Sequence, residues 1–396
     1  MFAAGLSVTI AAILWCAATG WHVATHLLAL VRHGKPAGEP PPASAFTIVA
    51  PMVGDGDASA AYVAALVELS NAGAEVLICV EEYDDPAAER VTLHWNYLTG
   101  EPPPMLVGRA TVSFNPKVNN IAKGLETASR PLIVVMDSGS LLRIDELRAM
   151  GAMITERTGL VQGLKPPRGA RNWAAEAECT MLNGYTARMI FALDKLGLQA
   201  ACGGILLFSR AAFERIGGVE AFSSEIAEDQ SLLAAMRAAG LRTTVADVVP
   251  AFPRPYRRWR DIWDRQVRWA RLRWLMVPVT VFLEPLLSGF VSMIAALVAG
   301  PALLPPWLDW TSPWGIAGII LVHWGIWIGA ELLFLFGRDL HRSWKQVPCI
   351  MLRETLMLPI AIHALSGRDI RWRDVDVVGG WRAQRARAAN GGGAAI

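Results

Sequence analysis

The sequence predicts an α/β domain with a mostly parallel sheet, joined to membrane helices. Short β-rich segments alternate with helical segments between residues 46 and 255, which is the order of repeated βαβ units. Long apolar segments stand on both sides of that region. The whole chain of 396 residues is 53% hydrophobic and 18% charged, with a mean hydropathy of +0.33. Such a chain is too apolar to be disordered, so we expect one domain with a full core plus several membrane segments.

Residues 1–32 are predicted to be a transmembrane anchor. Residues 2–31 carry no formal charge and exceed the roughly 20 residues that a membrane-spanning helix needs. Arg32 and Lys35 follow directly, so the positive-inside rule places the next domain in the cytoplasm. No basic residue precedes the segment, which favours an anchor over the alternative, a cleaved signal peptide. Residues 33–45, rich in proline and glycine, are predicted to be a linker.

The predicted α/β domain spans residues 46–255. Ligands in such sheets bind beyond the carboxyl ends of the parallel strands. Acidic residues that directly follow a strand are therefore candidates for a binding site. The pattern predicts strands at 46–51, 75–81 and 132–137, and helices at 58–71, 86–97, 117–127 and 144–154.

Charge and cysteine content narrow the function classes. The formal net charge is only +2, so the chain lacks the overall basic field that attracts nucleic acid, and we expect no nucleic-acid partner. Its five cysteines are scattered without a CxxC pair, which predicts neither a disulfide framework nor a zinc site.

Residues 256–275 are rich in arginine and tryptophan. Tryptophan favours the headgroup zone and arginine favours lipid phosphates, so this segment is predicted to be an interfacial amphipathic helix. Nucleic-acid binding is the alternative, and the apolar segments that follow disfavour it. While arginines occupy the other faces, one face of this helix would carry apolar side chains: Trp259, Trp263, Val267, Ala270 and Trp274.

The predicted C-terminal membrane region, residues 276–366, begins with two spans, at 276–301 and 313–336. Each span contains one acid, Glu284 in the first and Glu331 in the second. An acid inside a span needs a partner, so each is expected to pair with Arg353 or to lie at the end of its span.

The third apolar segment of that region, residues 347–366, contains Arg353 and Glu354 side by side. If it crossed the membrane, the basic tail, residues 367–396, would lie outside, against the positive-inside rule. We therefore predict a re-entrant or interfacial hairpin here, with the tail in the cytosol.

Three acidic residues lie at positions where we expect a binding or catalytic site. Asp85 follows the second strand and suits contact with a nucleotide, although a helix cap before Pro86 is the alternative. Asp137, in the sequence DSGS, suits a divalent cation bound to a diphosphate, and a strand-end turn is the alternative. Asp229, at the start of a helical segment, is either a cap or a general base for an alcohol.

The order of these acids, followed by RQVRW at 265–269, resembles the ceramide glucosyltransferase family, which is glycosyltransferase family 21 and close to family 2. The resemblance is to bacterial-type members. It implies a GT-A fold for the α/β domain, with one N-terminal and two to three C-terminal membrane helices. Matching segments are VEEYDDPA (80–87), NPKVNNIAKGLE (115–126), VVMDSGS (134–140), CGGILLFSR (202–210), IAEDQ (226–230) and RWRDVDVVGG (371–380).

The resemblance also implies what individual acids do. Asp85 corresponds to an acid that contacts the uridine, and Asp137 to the acid that handles the diphosphate and a Mg²⁺ or Mn²⁺ ion. Asp229 corresponds to the catalytic base. Lys117 and Glu228 complete the substrate-binding residues that we predict on this basis.

The RxxRW element matches Arg265, Arg268 and Trp269, which suit a leaving diphosphate; lipid phosphate is the alternative ligand for the arginines. Two features depart from the family pattern. Gly139 replaces the second acid of a DxD motif, and residues 50–57, APMVGDGD, lack the usual lysine–proline pair. The cation site is therefore predicted to have a single carboxylate.

The resemblance implies inverting transfer of a hexose, glucose first, from a UDP-sugar to the primary hydroxyl of ceramide. Diacylglycerol and a hopanoid polyol are alternative acceptors, and a catalytically silent lipid-binding scaffold is the alternative of another class. The acids and arginines are retained together, which disfavours the scaffold, and a transporter would need more spans. The implied partners are the UDP-sugar, the acceptor lipid and the bilayer, at a bacterial inner membrane.

Overall fold

The computed structural model describes residues 2–33, 38–54, 56–198, 200–225, 227–303, 307, 309–367, 370–372, 375–376 and 382. The chain forms two compact units. The helical unit comprises residues 1–31, 167–196 and 254–368, and the sheet unit comprises residues 32–166, 197–253 and 369–396. Residues 167–196 thus belong to the helical unit although they lie within the segment 46–255. Of the predicted linker, residues 34–37 lie outside the described residues, as does most of the predicted tail.

The strands confirm the α/β pattern that the sequence predicts. The first, second and fourth strands begin at the predicted residues, and the second and fourth end one residue earlier than predicted. The strands are β1 Phe46–Pro51, β2 Glu75–Val80, β3 Met105–Val107, β4 Leu132–Met136, β5 Thr158–Gly163, β6 Pro167–Arg168, β7 Ile205–Ser209, β8 Arg242–Val245, β9 Phe252–Pro253, β10 Arg371–Trp372 and β11 Val375–Asp376.

Seven of these strands form the sheet of the sheet unit, in the order β3-β2-β1-β4-β7-β5-β8. Neighbouring strands are parallel except where β7 pairs with β4 and with β5. Ile48 and Val49 of β1 are both fully buried, in hydrophobic cores on opposite faces, so helices cover both sides of the sheet.

The four helices that the sequence predicts at 58–71, 86–97, 117–127 and 144–154 also lie close to those positions, and the largest difference among them is the last, which ends at Gly151 rather than residue 154. The helices are α1 Phe2–Leu30, α2 Ala60–Asn71, α3 Pro86–Thr99, α4 Pro116–Thr127, α5 Ile144–Gly151, α6 Trp173–Cys179, α7 Arg188–Lys195, α8 Arg210–Arg215, α9 Glu220–Ser223, α10 Glu228–Ala238, α11 Trp259–Met276, α12 Val279–Leu286, α13 Gly289–Val298, α14 Gly300–Leu303, α15 Pro313–Gly337 and α16 Gln346–Leu365, with a π-helix at Thr180–Ala187 and a 3₁₀ turn at Ala43–Ala45.

Among the described residues, three helices are long and apolar enough to cross a membrane: Leu6–Leu30, Pro313–Gly337 and Gln346–Leu365. A bent pair, α12 and α13, makes a fourth candidate, with an angle of 54° between its two halves. Two of these candidate helices lie where the sequence predicts the anchor and the second span.

The hairpin predicted for residues 347–366 is wrong, because α16 is a single continuous helix. The prediction rested on the basic tail, most of which lies outside the described residues, and the two charges within α16 itself are compensated inside the helical unit. Arg353 binds Glu331 with Nη2 at 2.6 Å from Oε2 and Glu354 with Nη2 at 2.6 Å from Oε1. The break lies instead in the predicted span 276–301, between α12 and α13, where the Glu354 carboxylate accepts a hydrogen bond from the Gly289 backbone N–H.

One of the two predicted pairings for the intramembrane acids is confirmed. Glu331 pairs with Arg353, whereas Glu284 pairs with Arg273 of α11, whose Nε lies 3.0 Å from Oε1. The apolar face of α11 also differs from expectation. Val267 and Ala270 pack against Ile360 and Ala364 of α16, so protein covers the centre of the face that was expected to meet lipid.

Candidate active site

The predicted acids Asp137 and Asp229 lie near the carboxyl edge of the sheet. Asp137 directly follows β4, and its backbone N–H donates to the carbonyl oxygen of Gly204, just before β7. Asp229 lies in the first turn of α10, where its Oδ2 approaches Gly203 so closely that a Cβ added there would be 2.8 Å away. Gly203 also has a φ of +46°, so a larger residue would be strained there and would push the carboxylate aside.

Asp137 is held between two lysines. Lys117 Nζ lies 2.6 Å from Asp137 Oδ1 and 2.6 Å from Glu228 Oε1, and Lys165 Nζ lies 2.6 Å from Asp137 Oδ2. Burial alone would raise the pKa of the Asp137 carboxyl, but the two lysine charges outweigh burial and lower that pKa. The pKa of Lys117 shifts in the opposite direction. Burial would lower it, but the negative charges of Asp137 and Glu228 outweigh burial and raise it. Asp137 and Lys117 are therefore both charged at neutral pH.

Asp229 differs electrostatically from Asp137. Burial and the negative charge of Glu228 raise the pKa of the Asp229 carboxyl to about 6, although Lys117 and a hydrogen bond from the Gln230 backbone N–H oppose the rise. A carboxylate with this pKa is ionised at pH 7 yet accepts a proton more readily than an ordinary aspartate. Burial raises the pKa of the neighbouring Cys202 thiol to about 12, so that thiol stays neutral.

Asp85 lies at the predicted strand end and is a helix cap, as the alternative interpretation held. Its Oδ1 accepts hydrogen bonds from the backbone N–H of Ala87 at 2.7 Å and of Gly54 at 2.7 Å. The cap thus ties the loop after β1 to the start of α3. The predicted contact between Asp85 and a uridine stays a prediction.

Sequence reasoning missed two residues of this cluster, Lys165 and Asp57. Asp57 accepts a hydrogen bond from the Ser138 hydroxyl at 2.8 Å, which connects the loop after β1 with the DSG sequence. Lys165 follows β5 just as Asp137 follows β4, and these strands run in the same direction because each is antiparallel to β7. A lysine directly after the apolar run 159–164 was the signal that could have identified it.

The RxxRW element lies on α11 in the helical unit. Arg265 Nη1 is 2.6 Å from Oε1 of Glu178, a fully buried carboxylate that also binds Arg257 Nε at 2.8 Å from Oε2. The Arg265 guanidinium also lies 5.9 Å from the centre of the Trp269 ring. Glu178, which the sequence did not indicate, therefore orients Arg265. Arg268 is half-buried on the same helix.

The predicted cation site contains one carboxylate, that of Asp137. Asp137 offers two oxygen ligands of the kind that Mg²⁺ prefers, and both are already paired with ammonium groups. In the described part of the chain, no group of three or more His, Cys, Asp or Glu side chains is placed to hold a metal ion. These residues fit a cation only if Asp137 supplies the one carboxylate ligand and the phosphates of the donor supply further ligands.

Comparison with known protein families shows a match over nearly the whole chain. The model of glycosyl transferase family 21 matches residues 6–378. Ceramide glucosyltransferase 3 of Caenorhabditis elegans is 24% identical over 306 residues, which cover 76% of this chain. Ceramide glucosyltransferase 1 of the same organism is 25% identical over 214 residues, which cover 54% of this chain. The matched regions span only 65% and 46% of the length of these two relatives.

Solved structures resemble the chain more distantly. A mannosyltransferase from Pyrobaculum calidifontis in complex with GDP-Man and Mn²⁺ has a TM-score of 0.49 at 14% identity, covering 91% of this chain and 98% of its own. A glucosyl-3-phosphoglycerate synthase from Mycobacterium tuberculosis with Mn²⁺, UDP-glucose and phosphoglyceric acid has a TM-score of 0.35 at 14% identity, covering 60% of this chain and 80% of its own.

Proposed function

This chain belongs to glycosyl transferase family 21, and from that premise we propose that it transfers a hexose, glucose first, from a UDP-sugar to the primary hydroxyl of a membrane lipid. The observation that carries the proposal is the contrast at the sheet edge. Asp229 has a pKa raised towards neutrality, while Asp137 is held ionised between two lysines. Carboxyl groups with opposed pKa shifts suit opposed tasks in one reaction.

Asp229 is the proposed general base. As the acceptor hydroxyl oxygen forms a bond to the anomeric carbon, its proton passes to the Asp229 carboxylate. The bond between that carbon and the β-phosphate oxygen breaks on the opposite face, and UDP leaves with the bonding pair. This in-line displacement inverts the anomeric carbon.

Lys117 and Lys165 are the proposed source of positive charge for the leaving diphosphate. Both are long side chains already gathered at Asp137, so their ammonium groups can pair with phosphate oxygens when the donor binds. A Mg²⁺ or Mn²⁺ ion held by Asp137 would add positive charge at the same place. Asp85 is proposed to face the uridine. Arg265, Arg268 and Trp269 are proposed to act in the transfer, as the family motif implies.

Ceramide is the proposed acceptor, because both named relatives are called ceramide glucosyltransferases. Diacylglycerol and a hopanoid polyol remain the alternative acceptors. The three candidate membrane spans suit a lipid substrate, and we place the protein in a bacterial inner membrane with the sheet unit in the cytoplasm.

The test is sugar transfer by the full-length protein purified in detergent. Labelled UDP-glucose or UDP-galactose is supplied with ceramide or diacylglycerol, and the Asp229→Asn variant runs beside the native chain. One labelled glycolipid that requires Asp229 is expected. A folded protein that binds UDP yet labels none of these acceptors, nor a hopanoid polyol, would support the silent scaffold instead.

A further inference from the structure

The helical unit contains a cavity that the proposed chemistry does not use. It lies between α11, α12, α16 and the π-helix that separates α6 from α7. Side chains of Met181, Met357 and Ile360 belong to its apolar lining. Five polar side chains also line it: Tyr185, Gln266, Arg273, Glu284 and Arg353.

Two of those polar groups form an ion pair. Arg273 Nε lies 3.0 Å from Glu284 Oε1, and the Tyr185 side chain lines the same cavity. A carboxylate can accept about four hydrogen bonds, so Glu284 keeps acceptor capacity after its contact with Arg273. The cavity therefore presents a hydrogen-bond acceptor that is already held in place.

Gln266 supplies the complementary group. Its Nε2 is buried and has no hydrogen-bond partner, although buried amide groups are normally paired. Because Gln266 also lines the cavity, a ligand oxygen that reaches this donor would complete the missing hydrogen bond. Gln266 lies within the RxxRW element, so this donor stands on the same helix as Arg265 and Arg268.

We propose that this cavity binds the amide-linked part of the acceptor lipid, an inference that rests on the proposed function. The Gln266 side-chain NH₂ donates to the amide carbonyl of the lipid, and Glu284 accepts from its amide N–H or a neighbouring hydroxyl. Met181, Met357 and Ile360 contact the first methylenes of the chains.

This chemistry distinguishes the two leading acceptors. An amide offers both a carbonyl acceptor and an N–H donor, and so satisfies Gln266 and Glu284 together. The ester links of diacylglycerol offer acceptors only, so Glu284 would lose a partner and burial of its free oxygen would oppose binding. The cavity thus selects an N-acyl lipid such as ceramide over a diacyl ester.

The first experiment measures ceramide kinetics at saturating UDP-sugar. Gln266→Met keeps the length of the side chain but removes the donor, and we expect about a tenfold rise in the KM for ceramide. The KM for the donor and kcat should change less than about twofold. Arg260→Gln, an exposed site on the same helix, is the matched control. An unchanged KM for ceramide in Gln266→Met would overturn the proposal.

The second experiment does not depend on turnover. A ceramide with a diazirine near its amide is photolysed with the Asp229→Asn protein, and the labelled peptides are mapped. Labels are expected within 181–185 or 357–361 and should be lost in Ala361→Phe, which fills the cavity, with thermal unfolding as the check on folding. Labels confined to other parts of the chain would contradict the proposal that this cavity binds the lipid. Labels in the cavity, combined with a native protein that transfers no sugar, would instead refute the proposed function and leave a lipid site.

Discussion

Two buried charge clusters, one in each unit, have similar contacts and different access to solvent. In the sheet unit, Lys117, Lys165, Asp137 and Glu228 keep side-chain exposures of 11% to 26%. In the helical unit, Arg353, Glu331 and Glu354 have side-chain exposures of 0% to 4%. Charge compensation alone therefore does not identify a binding site. Groups that remain within reach of solvent can exchange partners with a ligand, whereas the almost fully buried set satisfies its charges internally and links the helices that carry them.

The largest expected effect concerns the base beside the accessible cluster. Asp229→Asn keeps the shape of the side chain but removes the proton acceptor, so transfer should fall by about 10²–10⁴-fold. Binding of UDP, measured by calorimetry, should change less than about threefold. Turnover near the native rate would remove Asp229 as the base.

The enclosed cluster should respond in stability rather than in binding. Arg353→Met leaves Glu331 and Glu354 facing each other without a cation and should lower the free energy of unfolding by about 3–5 kcal/mol. Thermal unfolding in detergent measures this loss. Gly184→Ala offers an independent disruption, because a Cβ there would overlap the Glu331 carboxylate and the Arg353 guanidinium. If Arg353→Met were as stable as the native protein, the contrast between the clusters would fail.

Lys165→Met should show the opposite behaviour in the accessible cluster. Removing one of the two cations that meet the diphosphate should weaken UDP binding by about tenfold while changing stability by less than about 1 kcal/mol. Calorimetric titration with UDP gives the first quantity and thermal unfolding the second. Lys195→Met, on α7 in the helical unit, serves as the control lysine. Loss of folding without loss of UDP affinity would make Lys165 a structural residue.

The smallest effect is a shift in pH dependence. Because Asp229 must be ionised to accept a proton and its pKa is about 6, kcat/KM should fall below about pH 6. Glu228→Gln removes a negative neighbour that raises this pKa, so the acidic limb should move to lower pH. Steady-state rates of UDP formation by the native protein and by Glu228→Gln, measured between pH 5 and 8, test both statements. A limb that stays in place in Glu228→Gln would assign it to another group.

The sequence by itself determined the ends of three strands to within one residue, the candidate spans at 313–336 and near the N-terminus, and the positions of Asp137 and Asp229. These features depend on hydrophobic periodicity and on residues next to one another in the chain, which a sequence displays directly. The family motifs added the roles that we propose for those two acids.

Only the tertiary structure decided which charges meet. Lys165 reaches Asp137 from 28 residues away, Glu178 holds Arg265 from 87 residues away, and Glu284 pairs with Arg273 rather than Arg353. The hairpin was predicted from the basic tail and the positive-inside rule, and only the structure shows that α16 is one continuous helix, in which Arg353 pairs with Glu331 and Glu354. The energy of a buried charge depends on partners brought close by folding, and spacing along the chain does not contain that information.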